Sequence, residues 1–126
     1  MNIDALIQGL ANATGPHRRL DEAIGRAIGF NPVVEGEAGA NQRVVWLDPA
    51  KRAADRLPQF TRSFEEAREL ISMTSPGKSV AISCDRIRQF RAVIEGGEPC
   101  VAETGPLAMC MAALKDFAKT NEIVAE

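Results

Sequence analysis

A chain of 126 residues can bury about two-thirds of the surface its unfolded form exposes, so residues 1–126 are read as a single domain. At 45% hydrophobic and 25% charged it is not a disordered chain, and a net charge of −2 excludes coating nucleic acid by bulk electrostatics. No apolar run approaches the roughly eighteen residues of a membrane span, and the start lacks a signal-peptide layout, which places the chain in the cytoplasm and off the membrane.

Ile3, Leu6, Ile7 and Leu10 recur with helical spacing behind Asn2, a good N-cap, and Thr14-Gly15-Pro16 stops that helix. Leu20, Ala23, Ile24, Ala27 and Ile28 form one face of a second helix, with Asp21 and Glu22 early, where carboxylates suit the positive helix end. Gly29 and Pro32 close it. Residues 31–42, with Gly36 and Gly39 among scattered acids, read as a surface loop. Arg43-Val44-Val45-Trp46-Leu47 is the first strand, ended by Asp48-Pro49. Residues 51–56 can form a helical turn that Pro58 prevents from continuing, and Phe60 anchors the segment on the core.

Ser63 followed by Glu66 is a capping box, and Phe64, Ala67, Leu70 and Ile71 supply the buried face of the helix it opens. Ser75-Pro76-Gly77 turns the chain, and Val80, Ile82 and Cys84 alternate with Ala81 and Ser83 as a strand. Asp85-Arg86-Ile87-Arg88 leads to a hairpin in which Phe90-Arg91-Ala92-Val93-Ile94 and Pro99-Cys100-Val101-Ala102 flank Gly96-Gly97. The glycine pair predicts a type I′ turn. Thr104 then caps a long helix with Pro106 in its first turn and one apolar stripe of Leu107, Cys110, Met111, Leu114, Phe117 and Ala118. The order α-α-β-α-β-β-β-α predicts an α+β fold, a small and mostly antiparallel sheet sandwiched by helices.

Several of these segments together resemble the phage ABA sandwich domain family. They are Gly15-Pro16 with Leu20-Asp21-Glu22-Ala23-Ile24, Trp46-Leu47-Asp48-Pro49, the helix entry Leu57-Pro58-Gln59-Phe60-Thr61-Arg62-Ser63-Phe64-Glu65-Glu66-Ala67, and Thr104-Gly105-Pro106-Leu107-Ala108-Met109-Cys110. The resemblance covers most of the chain and departs from the family's pattern at 50–56, where a second short strand is expected. It implies a phage or prophage origin, a bacterial host cytoplasm and a helix–sheet–helix sandwich. It carries no catalytic residues over.

No nucleophile elbow, Walker-type loop or dinucleotide fingerprint is present, and His17, the single histidine, has no metal-ligand spacing around it. The expectation is a non-enzymatic protein without metal or cofactor. Asp21, Glu22, Asp48, Glu65 and Glu66 have structural reasons to exist, at helix starts and a turn. Cys84, Cys100 and Cys110 have no Cys-x-x-Cys spacing and are expected to be reduced core residues.

Eleven of the fifteen basic residues are arginine, either from codon usage or for bidentate recognition of phosphate or carboxylate. Two candidate ligand-binding groups follow. Arg86, Arg88 and Arg91 form a guanidinium cluster for a phosphate-bearing ligand, or else a charged, protected strand edge. Arg43, Trp46 and Arg62, with Arg56 and Phe60, make a nucleotide-sized stacking site, or else Trp46 is core. The expected function is that of a phage accessory protein binding a host protein or a nucleotide-type small molecule, such as a sequestered immune signal. The alternative is an assembly module acting through homo-oligomerisation.

Overall fold

The computed structural model describes residues 3–36, 39, 42–85 and 89–125, the last five of these through their backbone alone. Asn2, Arg86 and Arg88 lie outside the described residues. The fold is α+β, with four helices and two antiparallel three-stranded sheets. The helices are α1 (Ile3–Asn12), α2 (Arg18–Ile28), α3 (Phe64–Thr74) and α4 (Gly105–Ala125). One sheet orders β1 (Asn31–Glu35), β2 (Arg43–Leu47) and β3 (Ala53–Ala54); the other orders β4 (Val80–Cys84), β5 (Phe90–Ile94) and β6 (Cys100–Ala102).

Two segments differ from the expectations above. Residues 31–35 are a strand, because Asn31, Val33 and Glu35 pair in register with Leu47, Val45 and Arg43. Residues 53–54 pair with Trp46 and Leu47 rather than coiling into a helical turn. The strands thus divide between two sheets instead of forming one.

The core is organised around α4. Every residue from Gly105 to Leu114 is buried, so this helix has no solvent face over its first half and its apolar surface is wider than a single stripe. It packs against α3, α1, β5 and β6. Thr104 caps it as expected, its hydroxyl accepting from the Leu107 N–H at 3.3 Å. A helix about 10 Å across covers roughly two strands spaced about 4.8 Å apart. Accordingly Ala92, Ile94, Cys100 and Ala102 on β5 and β6 are buried beneath it, while β4 emerges beyond its flank.

A second tie holds the N-terminal helices to the segment before α3. His17 is the N-cap of α2, its Nδ1 accepting from the Leu20 N–H, and Gly29 ends that helix at φ +113. Phe60 is fully buried and meets Phe30 edge-to-face at 6.0 Å. At the hairpin, the Gly97 N–H bonds the Ile94 carbonyl at 2.7 Å and only Gly96 has positive φ. A type I′ turn needs positive φ at both central residues, so the turn is of another type.

Candidate functional site

Arg43, Trp46 and Arg62 do not converge on one site, and of the group Arg86, Arg88 and Arg91 only Arg91 lies within the described residues. Arg43 bonds Glu35 at 3.3 Å and lies 3.7 Å from Asp55, all at the surface of the β1–β2 ribbon. Trp46, three residues on along β2, faces the opposite side of the strand. Its ring is partly buried on the core, and the Arg26 guanidinium sits 5.6 Å from its centroid, a cation–π contact that occupies the face a base would stack on. Arg62 is exposed just before the α3 cap. Arg91 lies on the outer face of β5, where Ser83, Cys84, Gln89 and Val101 join it around a depression of about 190 Å³.

A larger concavity lies elsewhere. A groove of about 750 Å³ runs between α3 and β4. Phe64, Ile71, Val80, Ile82 and Met109 give it apolar walls and floor, and Arg68 and Lys78 bring cations to it. Phe64 is 50% exposed and Ile82 40% exposed, values that mark apolar side chains turned toward solvent rather than core. The groove exists because α3 packs on α4, which leaves the inner face of β4 without a helix over it.

One end of the groove is fixed by a polar network. Ser75, the C-cap of α3, donates its hydroxyl to Asp116 Oδ2, and the Lys78 ammonium bonds both Asp116 oxygens at 3.0 and 3.2 Å. Burial pushes the Asp116 carboxyl up, but the hydrogen bonds from Ser75 and Lys78 and the charges of Lys78 and Lys119 outweigh it and hold the group below the usual carboxylate range. The network joins α3, the turn at 75–79 and α4, so Lys78 stands on a braced support.

The edge of β4 completes the site. In an antiparallel ladder, alternate residues turn their N–H and C=O toward the paired strand and the others turn them away. The Glu95 N–H bonds the Ser79 carbonyl and the Asp85 N–H bonds the Gln89 carbonyl, so the odd-numbered residues of β4 face β5. Val80, Ile82 and Cys84 therefore point their backbone groups outward, and no strand among the described residues pairs with them.

The other edges are blunted. By the same alternation, the Asp48–Arg52 bond turns Pro32 and Val34 outward on β1, and Pro32 has no N–H to offer. On β6 only Val101 faces outward, with Pro99 preceding it and α1 packed alongside. β3 has only two residues. Among the described strands, β4 alone combines length, free donors and an adjoining groove.

The sequence reading missed this site. Its local signals are the turn Ser75-Pro76-Gly77 and the strand alternation of Val80, Ile82 and Cys84, neither of which tells an edge strand from an inner one. No family model, curated protein or solved structure matches the chain.

Proposed function

We propose that this chain is a non-enzymatic binding module that takes up an extended segment of a partner protein as an added strand on β4. The observation that carries this reading is the free edge of Val80, Ile82 and Cys84 beside an apolar groove. Strand addition joins two recognition elements: main-chain hydrogen bonds hold any extended chain, and alternate side chains entering the groove select among chains. A residue paired directly with Val80 or Ile82 projects on the same face as they do, toward Ile71 and Met109. A nucleotide-type ligand finds less support, because the arginines described are dispersed and engaged with Glu35, Asp55 or solvent.

The test is a selection from a display library of random linear peptides, followed by binding measurements on Ile82→Pro. That substitution deletes an outward N–H while leaving the bonds to β5 intact, a placement proline tolerates on edge strands. Selected peptides should carry alternating apolar residues, and Ile82→Pro should weaken them about tenfold or more at an unchanged thermal midpoint, as expected for one or two lost hydrogen bonds. Undiminished binding to Ile82→Pro would sink the reading.

A second reading, homo-oligomerisation, is favoured by the exposed valines Val33, Val34 and Val44 on the β1–β2 ribbon. A second copy could also occupy the β4 edge, Ile82 against Ile82, in an isologous dimer. Sedimentation separates the two readings: a dimer that Ile82→Pro dissociates would assign the edge to self-assembly.

A further inference from the structure

We propose, resting on the strand-addition reading above, that the occupant of the groove is the C-terminal tail of a partner protein. It runs antiparallel to β4 with its terminal carboxylate against Lys78 and the Gly77 N–H.

The argument starts from the shape of the groove. Its two walls, α3 and β4, are consecutive in the chain and joined by the short turn at 75–79, so the groove is closed at that end by Pro76 and Gly77. A polypeptide lying along β4 toward that end must either climb over the turn or stop there. A chain terminus meets no such obstacle.

Donors at the closed end decide which terminus it is. Lys78 lines the groove, whereas Asp116 lines a separate small cavity with Lys115 and Lys119. The ammonium has three N–H groups, and its two contacts with Asp116 leave one for a ligand. Gly77, at φ +81, also lines the groove, and its N–H makes no hydrogen bond among the described residues. A terminal carboxylate accepts from both, while a terminal ammonium would face the Lys78 charge.

Direction and register follow. With the carboxylate beside Lys78, the terminal residue lies opposite Val80 and the third from the end opposite Ile82. The chain then runs toward Val80 as β4 runs away from it, which makes the pairing antiparallel. Both ligand side chains enter the groove, over Ile71 and Met109 and toward Phe64. The ligand is thus a tail with aliphatic residues at its last and third-from-last positions.

The experiment displays short random peptides at a free C-terminus on a carrier and selects them on the full chain. Enriched sequences are then synthesised as the free acid, the C-terminal amide and a glycine-extended form. The acid should bind about tenfold or more tighter than the other two. The double variant Lys78→Met/Asp116→Asn, which removes the cation without leaving a buried carboxylate unpaired, should erase that difference while keeping the preference for apolar residues. Equal binding of acid, amide and extended peptide would overturn the C-terminal assignment, as would a selection that enriches nothing. In the first case Ile82→Pro distinguishes the two failures: peptides it still weakens leave strand addition standing, and peptides it leaves untouched remove that reading as well.

Discussion

Asp21 on α2 accepts both the N–H and the hydroxyl of Thr61 at 2.8 Å, across forty residues of chain, and both residues are buried. This is the polar bolt between the N-terminal helices and the segment that leads into α3. Arg18 extends it by bonding Asp21 and the Leu57 carbonyl. Replacing Asp21 by leucine leaves the buried Thr61 N–H without its acceptor and leaves the Thr61 hydroxyl only its longer bond to the His17 carbonyl at 3.2 Å, and Asp21→Leu is expected to lower unfolding stability by about 2–3 kcal/mol in urea at neutral pH. Asp21→Asn, which keeps an acceptor oxygen, should lose about 1 kcal/mol. Equal losses would mean that the charge, and not the acceptor, holds the segment.

Gly25 packs under Leu57 on the same interface, and a methyl group added there would come within 2.7 Å of Leu57 Cδ1. In an exposed helix Gly→Ala gains about 1 kcal/mol, but overpacking a filled core costs about 1–3 kcal/mol. Leu57 is fully buried and cannot swing into solvent, so Gly25→Ala should destabilise on balance. In a Leu57→Ala background the clash disappears, and the same change should become stabilising by up to about 1 kcal/mol. A double-mutant cycle measures the reversal of sign.

The elements that local chemistry dictates were legible in the sequence. Ser63 caps α3 through the Glu66 N–H at 3.3 Å, although the Glu66 carboxylate reaches past the cap to the Gln59 N–H. Thr104 and Pro106 marked the start of α4, and Asp48 marked a turn, accepting from the N–H groups of Ala50 and Arg52. What depends on neighbours was not legible. β1 carries Pro32 and a glycine just beyond its end, loop signals by composition, and becomes a strand only because β2 pairs with it. The open edge of β4 cannot be seen in its own residues, since it follows from the width of α4 and the place where α3 docks. Cys84 has the alternation of a core residue but is exposed for the same reason, so only two of the three cysteines take the expected core role.

Acid should weaken the polar brace at the closed end of the groove. The Asp116 carboxyl sits below its ordinary range in the folded chain, so its stabilising effect is complete above about pH 5, where the unfolded carboxyl is almost wholly ionised, and is lost as pH falls through the folded value. Asp48 acts with the same sign, lowered chiefly by the Arg52 N–H. Urea midpoints followed from pH 6 downward should fall more steeply for the wild type than for Asp116→Asn. Parallel curves would show that the carboxylate contributes nothing to the pH dependence.

The three thiols should separate by reactivity, and the separation reads the β4 edge directly. The thiolate is the nucleophile, so a thiol held protonated inside the core reacts only when the fold opens. Burial raises the Cys110 thiol far above its ordinary value, the nearby Asp21 charge raises it further, and its sulfur lies 3.3 Å from the Phe60 carbonyl. Burial also raises Cys100, against a partial offset from Lys115. Cys84 is exposed on β4. Iodoacetamide should therefore modify Cys84 readily in the native protein. It should reach Cys100 and Cys110 at least ~10³-fold more slowly, the population ratio set by opening a domain of about 5 kcal/mol stability. All three should react in denaturant, and rapid native modification of Cys110 would contradict its place beneath Phe60. A bulky maleimide on Cys84 then stands at the β4 edge, where an added strand would pair. It should weaken selected peptides while leaving the thermal midpoint within about 1 °C, a shift that corresponds to well under 1 kcal/mol in a domain of this size.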